Sequence, residues 1–192
     1  DCFRSDPSLY YTRGREIIYN LEEKTPSIVH TELARLEEAG LLHAVVTQNI
    51  DLLHRKAGSR RVIEIHGSPL VHRCLDCDRT WSFEEIAARV NAGEVPRCDC
   101  GGPVKPDITF FGEALPQEAL AEAIEEATRA ELMLVLGSSL IVQPAASLPG
   151  LTLEHGGRLV IVNAQPTPLD DYAELKFDDL KTCFDGLAAV LP

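Results

Sequence analysis

The side chains of this chain that could carry out chemistry are gathered at a few points, each directly after an apolar stretch. The run Thr47-Gln48-Asn49-Ile50-Asp51 places two amides and a carboxylate after Val45-Val46, and His66 follows Val62 to Ile65. Amides and carboxylates bind hydroxyl and amide groups, and imidazole transfers protons near neutral pH. This region is therefore a candidate binding site with a general base. The alternative for His66 is a core histidine bonded to backbone groups.

The apolar stretches before these residues predict buried parallel strands, because they are short, rich in β-branched residues and bounded by polar residues. Leu132 to Leu136 and Leu159 to Val162 have the same character and lead into Gly137-Ser138-Ser139 and Asn163. In an open α/β sheet, ligands bind outside the carboxyl ends of the strands. These polar clusters therefore suit a dinucleotide, although the chain lacks a Gly-x-Gly-x-x-Gly fingerprint. The alternative for Gly137-Ser138-Ser139 is a plain strand-to-helix turn.

Helix and strand patterns alternate along the chain, which predicts a mostly parallel sheet flanked by helices. Helices are predicted from Asp6-Pro7 to about Asn20, from Thr25-Pro26 to a stop at Gly40, from the capping box at Ser82 to about Val90, from Pro116 onward, and from Leu180 to Val190. Further short strands are predicted at Val71 to Cys74, at Thr80-Trp81 and near Leu175 to Phe177.

Four of the six cysteines fall into two close pairs, Cys74-x2-Cys77 and Cys98-x-Cys100, which is the spacing of a metal site. Four thiolates saturate a tetrahedral zinc ion and leave no position for water, so the predicted zinc is structural. His72 is close enough to replace one cysteine and is the less favoured ligand. Thiolates persist in reducing compartments, which favours a cytoplasmic protein.

The net charge of −12 over 192 residues argues against a nucleic-acid partner, because duplex binding requires clustered Lys and Arg. The longest apolar runs are those of the predicted strands, far short of the roughly 20 residues that cross a membrane. We therefore expect neither nucleic acid nor a membrane as a partner.

Taken together, the motifs resemble the sirtuins, which are NAD-dependent protein deacylases. The resemblance covers nearly the whole chain in the family's order, and it rests on residues 47–51 with Leu53-His54, Ala57-Gly58 and His66-Gly67, on residues 105–113, on residues 137–140 with 143–146, and on residues 160–163. It departs from the family in two places. Sirtuins usually space the second cysteine pair as Cys-x2-Cys. Their N-terminal Gly-Ala-Gly turn and Pro-Asp-Phe-Arg loop have no counterpart, so we expect that an N-terminal segment is missing and that the chain by itself turns over poorly.

The resemblance implies a Rossmann-like NAD-binding domain, formed by residues 1–70 and 104–192, with an inserted zinc-binding module at residues 71–103. Residues 1–24 are a candidate small helical module. It also implies NAD and structural zinc as cofactors and an acyl-lysine protein or peptide as partner. The implied catalytic residues are His66, Asn49 and Asp51; the implied NAD-binding residues are Gln48, Asn49, Ile50, Asp51, His66, Gly137, Ser138, Ser139, Asn163 and Leu180; the implied zinc ligands are Cys74, Cys77, Cys98 and Cys100; and the implied substrate-binding residues are Phe110, Phe111, Gly112, Glu113 and Val142.

In the implied reaction the acyl-lysine carbonyl oxygen displaces nicotinamide, and His66 then activates a ribose hydroxyl that takes over the acyl group. The substrate backbone would add as a strand between residues 111–113 and 142–144. Sirtuins that prefer succinyl or malonyl groups carry a Tyr-x-x-Arg pair. Here Tyr11 is followed three residues later by Gly14, so an uncharged acyl group such as acetyl is expected. The alternatives are a catalytically inactive acyl-lysine-binding module and an NAD-dependent ADP-ribosyltransferase.

Overall fold

The computed structural model describes residues 2–190, except for the side chain of Glu22, and these residues form two compact units. We call residues 2–25, 49–53 and 66–114 the cysteine unit, because it contains the four paired cysteines. Residues 26–48, 54–65 and 115–190 form the sheet unit. The domain division expected from the sequence, with its boundaries near residues 70 and 104, remains a prediction.

The elements follow one another as eight strands and eight helices among residues 2–190. The strands are β1 (Val45–Thr47), β2 (Val62–Glu64), β3 (Gly67–Cys74), β4 (Thr80–Ser82), β5 (Val104–Ile108), β6 (Leu132–Leu136), β7 (Arg158–Val162) and β8 (Leu175–Phe177). The helices are α1 (Cys2–Ser5), α2 (Ser8–Gly14), α3 (Ile28–Glu38), α4 (Leu53–Lys56), α5 (Phe83–Asn91), α6 (Gln117–Arg129), α7 (Leu148–Glu154) and α8 (Leu180–Val190). Within the described part of the chain, no helix is both long and apolar enough to cross a membrane.

All strands of the sheet unit pair in parallel, as the sequence predicts. β1 pairs with β2, and β6, β7 and β8 pair in that order, with Leu136 opposite Val162 and Val162 opposite Phe177. Parallel strands that alternate with helices along the chain are the pattern of an α/β fold. The α/β fold class is therefore confirmed.

The core of the sheet unit forms where small residues let helices approach the strands closely. Ala123 and Ala127 of α6 are fully buried against Ile63 and Ile65. The hydroxyl of the buried Thr152, on α7, donates to the carbonyl oxygen of Ala127 at 2.7 Å. A hydrogen bond from a buried hydroxyl to a helix carbonyl fixes how the two helices are placed against each other.

The cysteine unit is built on the antiparallel sheet β4–β3–β5. Pro106 lies on the edge strand β5, where the missing N–H does not interrupt a second ladder. α5 begins with the predicted capping box, because Ser82 accepts from the Glu85 N–H and the Glu85 carboxylate accepts from the Ser82 N–H at 2.8 Å. Its residues Ile86 and Val90 are buried in one core with Tyr11, Tyr19, Phe83 and Val104.

Two of the predicted helix boundaries were wrong. The helix predicted from Asp6 to Asn20 ends at Gly14, where three successive N–H groups converge on the Gly14 carbonyl oxygen. The next helix begins at Ile28 with Ser27 as N-cap, not at Thr25-Pro26, and His30 accepts from the Ser27 N–H at 3.2 Å. The predicted stop at Gly40 is confirmed, since Gly40 has a φ of +73°.

Candidate functional site

Polar groups meet at the carboxyl edge of the sheet unit. Gly137 follows β6 and Asn163 follows β7, and because Leu136 pairs with Val162 the two residues lie side by side. The Gly137 N–H donates to the Val162 carbonyl oxygen at 2.9 Å, and the Asn163 amide donates to the Gln165 carbonyl oxygen at 2.8 Å. Uncharged hydroxyl and amide groups at such an edge fit the ribose and phosphate groups of a dinucleotide.

The turn after β6 is tightly constrained. Gly137 has a φ of +60°, and a Cβ added to it would lie 3.5 Å from Cδ1 of Leu180, the first residue of α8. The Ser138 hydroxyl accepts from the Leu140 N–H at 3.2 Å, and Ser139 is partly buried. The structure therefore places Gly137 next to Leu180, and both are implied NAD-binding residues. Gln48 directly follows β1 and is partly buried, whereas Val142 is half exposed.

The loop from Asn49 to Leu53 lies in the cysteine unit. The Asp51 carboxylate accepts from the Leu53 N–H at 2.9 Å, and Leu52 between them has a φ of +60°. Asn49 is exposed and Ile50 is partly buried. A non-glycine residue in the left-handed region costs about 1–2 kcal/mol and is held there only by its surroundings. Such strain is concentrated at functional sites, which makes this loop a candidate on structural grounds.

His66 lies in the turn that leads into β3, and its carbonyl oxygen accepts from the Thr109 N–H at 2.8 Å. Gly67 beside it has a φ of +74°, and a Cβ there would lie 2.1 Å from the Asp107 carbonyl oxygen. Only glycine allows the two backbones to come this close. The chain therefore fixes the backbone of His66 against the residues that precede Phe110.

The segment Phe110 to Glu113 forms a closed turn in the cysteine unit. The Phe110 N–H donates to the Glu113 carboxylate at 2.9 Å, and the Glu113 N–H donates to the Phe110 carbonyl oxygen at 3.0 Å. Rings of Phe3 and Tyr10 pack against the Phe110 ring at centroid distances of 5.3 and 5.1 Å. Phe111 is fully exposed and follows Phe110 directly. The turn is thus ordered on one side and presents an aromatic ring to solvent on the other.

The Glu113 carboxylate has a pKa below its usual range. Burial alone would raise the pKa, but the hydrogen bond from the Phe110 N–H and the ammonium of Lys105 outweigh it. The Lys105 Nζ lies 2.9 Å from Glu113 Oε2. Glu113 is therefore an anion over the whole neutral pH range.

The four paired cysteines come together at one point of the cysteine unit. Their Sγ atoms all lie within 4.8 Å of one another, with Cys74 to Cys100 and Cys77 to Cys98 both at 3.5 Å. Zinc–sulfur bonds of about 2.3 Å in a tetrahedron place the sulfurs about 3.8 Å apart. The cysteines are positioned to bind a structural zinc ion, and the short Cys98-x-Cys100 spacing does not prevent it.

The surroundings of the cysteines complete the site. A Cβ on Gly102 would lie 2.7 Å from Cys74 Sγ, so the chain passes the sulfur with no side chain between them. Burial raises the pKa of the Cys74 thiol, but N–H groups of Asp76 and Cys77 and the neighbouring thiols outweigh it and lower the pKa to about 7. His72 lies outside the group of metal-binding atoms, and its Nε2 is 2.9 Å from the Tyr19 hydroxyl.

Other features of these loops are visible only in the structure. Leu140 has a φ of +55°, and Leu52 has a φ of +60°. Each of these leucines directly follows a predicted site segment, residues 137–139 for Leu140 and residues 48–51 for Leu52. Lys105, to which no role was assigned from the sequence, contacts the Phe110 turn. The Tyr11 hydroxyl donates to the Val104 carbonyl oxygen at 2.7 Å, and Tyr11 is 1% exposed. Lys105 lies on β5 and Glu113 lies eight residues later in the turn, and such a pair gives no periodic signal in the sequence.

These features define a class of protein: a doubly wound α/β protein with a structural zinc site made of four cysteines. A family model described as the Sir2 family matches residues 1–144. An NAD-dependent protein deacetylase from Thermotoga maritima is 48% identical over 179 residues, which are 93% of this chain and 73% of the relative. An NAD-dependent protein deacylase 2 from Archaeoglobus fulgidus is 45% identical over 176 residues, 91% of this chain and 69% of the relative.

Solved structures agree with these relatives. The structure of Sir2Tm bound to a propionylated peptide has a TM-score of 0.92 at 46% identity and covers 97% of this chain and 80% of that chain. A complex described as Sir2, p53 peptide and NAD+ also has a TM-score of 0.92, at 46% identity, and covers 97% and 79%. The chain belongs to the Sir2 family.

Proposed function

We propose that this protein is an NAD-dependent protein-lysine deacetylase, which transfers the acyl group of a modified lysine to ADP-ribose and releases nicotinamide. The observation that carries the proposal is the 48% identity, over 93% of this chain, to a protein named NAD-dependent protein deacetylase. The partner is an acyl-lysine protein or peptide, as in the related structures with a propionylated peptide and a p53 peptide.

The reaction balances with one water molecule: acyl-lysine, NAD and water give free lysine, nicotinamide and an acylated ADP-ribose. NAD, when bound, supplies the ADP-ribosyl group that accepts the acyl group, and nicotinamide as the leaving group. We assign His66 to take up the proton of the attacking hydroxyl, which is the task that imidazole performs best near neutral pH. The tight backbone at Gly67 supports this role, because it holds His66 in place.

The remaining roles in the proposal follow from the loops. Gln48, Asn49, Ile50 and Asp51 would hold the nicotinamide and inner ribose, and the hydrogen bond from Leu53 to Asp51 orders that loop. The NAD-binding residues of the sheet unit would be Gly137, Ser138, Ser139, Asn163 and Leu180. The substrate-binding residues would be Phe110, Phe111, Gly112, Glu113 and Val142, of which Phe111 is fully exposed.

The acyl group in the proposal is acetyl. Tyr11 is buried and its hydroxyl is engaged by Val104, and the position three residues further on is Gly14, which carries no cation for a distal carboxylate. A cytoplasmic location belongs to the same proposal, because four reduced cysteines at a zinc site are stable in a reducing compartment.

The test compares the full-length wild-type protein with His66→Tyr, using an acetyl-lysine peptide and NAD labelled in the adenine. His155→Tyr is the matched control, because His155 is exposed at the end of α7 and bonds the Leu151 carbonyl oxygen of its own helix. We expect nicotinamide and free-lysine peptide from wild type and from His155→Tyr. In His66→Tyr, loss of the general base should reduce deacetylation by a factor on the order of 10²–10⁴.

Two outcomes would overturn the proposal. A zinc-loaded wild-type protein that binds the acetyl peptide and releases no nicotinamide would be a binding module. Adenine label transferred to protein without deacetylation would identify an ADP-ribosyltransferase.

A further inference from the structure

Lys105 lies on β5 and contacts the Phe110–Glu113 turn. Its side chain is only 12% exposed, although it lies on the half-exposed face of β5 opposite the buried Val104 and Pro106. A lysine ammonium is strongly hydrated, so it is buried to this extent only where other groups replace its water.

The groups that replace water around the Lys105 ammonium all belong to the following residues of the chain. Nζ donates to the Ile108 carbonyl oxygen at 2.7 Å, pairs with Glu113 Oε2 at 2.9 Å, and lies 4.3 Å from the centroid of the Phe110 ring. Two of these contacts are to oxygen acceptors, and the third is a cation–π contact with the ring.

Each contact fixes a different part of the turn. Ile108 ends β5 just before the turn, Phe110 begins it, and Glu113 closes it. Glu113 Oε2 also accepts from the Phe110 N–H, so one carboxylate oxygen joins the cation to the backbone of the turn. The Phe111 side chain lies outside these contacts and is fully exposed.

We infer that Lys105 is a positioning residue, which holds the Phe110–Glu113 turn in its peptide-binding shape before substrate arrives. This inference rests on the proposed function, because that function assigns the turn to the acyl-lysine peptide. A turn that is ordered in advance loses less conformational entropy on binding, so the peptide binds more tightly.

The chain offers well-matched variants. Lys105→Met keeps the length and apolar stem and removes the charge. Lys105→Arg keeps the charge and can pair with the same carboxylate. The control is Arg73→Met, which removes the cation of an exposed ion pair to Asp107 across the same two strands and leaves the turn untouched.

The first measurement is amide hydrogen exchange at Phe110 and Glu113 in the zinc-loaded protein without NAD or peptide. Both amides are donors within the turn. We expect exchange to accelerate in Lys105→Met by a factor on the order of ten. Arg73→Met and Lys105→Arg should exchange as wild type does.

The second measurement is steady-state kinetics in the full-length protein. We expect KM for the acetyl peptide to rise in Lys105→Met by a factor on the order of ten, equivalent to about 1.4 kcal/mol. KM for NAD, kcat at saturating peptide and zinc content should stay within about twofold of wild type, since only the free turn is disordered. Lys105→Arg should restore most of the peptide affinity.

Unchanged exchange at Phe110 and Glu113 in Lys105→Met would overturn the inference. So would a general loss of kcat, NAD affinity and zinc that Lys105→Arg does not rescue, since that pattern marks a structural residue. If wild type shows no turnover at all, the proposed function fails, while the exchange experiment still decides whether Lys105 orders the turn.

Discussion

Replacing Cys74 by serine tests how far the zinc site holds the cysteine unit together. Cys74 is fully buried, and it belongs to the same apolar core as Ile86, Val90 and Val104. Structural zinc binds to small zinc-finger peptides with about 10–16 kcal/mol, so one of four ligands contributes about 2.5–4 kcal/mol. A domain has only about 5–15 kcal/mol of stability in total. We therefore expect Cys74→Ser to lose most of its zinc and much of the stability of this unit.

Zinc removal by a chelator should have the same effect for an electrostatic reason. Two thiolates 3.5 Å apart, the distance between Cys77 and Cys98, repel by about 5 kcal/mol at an effective dielectric constant of about 20. Without the cation the sulfurs must take up protons or move apart. Either change loosens the turns that carry them.

The single tryptophan of the chain reports on this change directly. Trp81 lies on β4, opposite His72 on β3, and packs partly buried against the core that contains Cys74 and Cys98. We expect about one zinc per chain in wild type, and a red shift of Trp81 emission in Cys74→Ser or after chelation. Cys2→Ser is the control, because Cys2 is exposed and lies outside the cysteine cluster.

The reasoning would be refuted if Cys74→Ser kept one zinc per chain, or if it lost zinc while Trp81 emission and the melting temperature stayed at wild-type values.

Three further predictions concern single positions. Gly67→Ala should lower the free energy of unfolding by more than about 2 kcal/mol in a denaturant titration, because its Cβ would clash with the Asp107 carbonyl oxygen at 2.1 Å. The control Gly93→Ala has a similar φ of +88° but no atom within 4 Å, so its free energy of unfolding should fall by only about 1 kcal/mol. Equal losses in the two variants would contradict the predicted clash. Thr152→Val should lower the free energy of unfolding by about 1–2 kcal/mol, because it leaves the buried Ala127 carbonyl oxygen without the hydroxyl at 2.7 Å, and no loss of stability would count against that hydrogen bond. The protein should turn over acetyl peptide at least about tenfold faster than succinyl peptide, because Gly14 offers no cation to the distal carboxylate, and the reverse order in competition assays would contradict it.

Sequence patterns were sufficient to predict strands, helix starts and the cysteine cluster where the signal is local. The strands β1, β2, β6 and β7 are built on short apolar runs next to polar residues, and all of them pair in parallel. β8 also pairs in parallel, although its three residues are exposed and include Lys176. The cysteine pairs converge because the residues between them form a small sheet and a helix that bring both turns together. The Ser82 capping box began its helix as predicted, because its hydrogen bonds are local.

Elements with contradictory local signals were missed. α7 contains Pro149 and Gly150, which disfavour a helix interior, yet Pro149 falls in the first turn, where its missing N–H does no harm. β5 contains Pro106 and was not predicted, although Val104, Pro106 and Ile108 alternate with polar residues and are all buried. In α7 and in β5, packing against the rest of the fold outweighs the local conformational preference of these residues.

Only part of the candidate site could be predicted from the sequence. A polar residue after an apolar run marks a strand end, which identified His66, Gly137 and Asn163 as candidates. The positive φ angles of Leu52 and Leu140 depend on the path of the folded backbone, which no pattern of residue types encodes. The contacts of Lys105 join residues only three to eight positions apart, but they require a specific turn and not a repeating hydrophobic pattern.

The central claim is that one reaction couples NAD cleavage to lysine deacylation, and product stoichiometry tests it most directly. The zinc-loaded full-length protein is incubated with acetyl-lysine peptide and NAD, and the products are quantified by mass spectrometry. We predict nicotinamide, free-lysine peptide and acetylated ADP-ribose in equal molar amounts, all strongly reduced in His66→Tyr. Nicotinamide released without free-lysine peptide, or free acetate in place of acetylated ADP-ribose from the first turnover, would contradict the account.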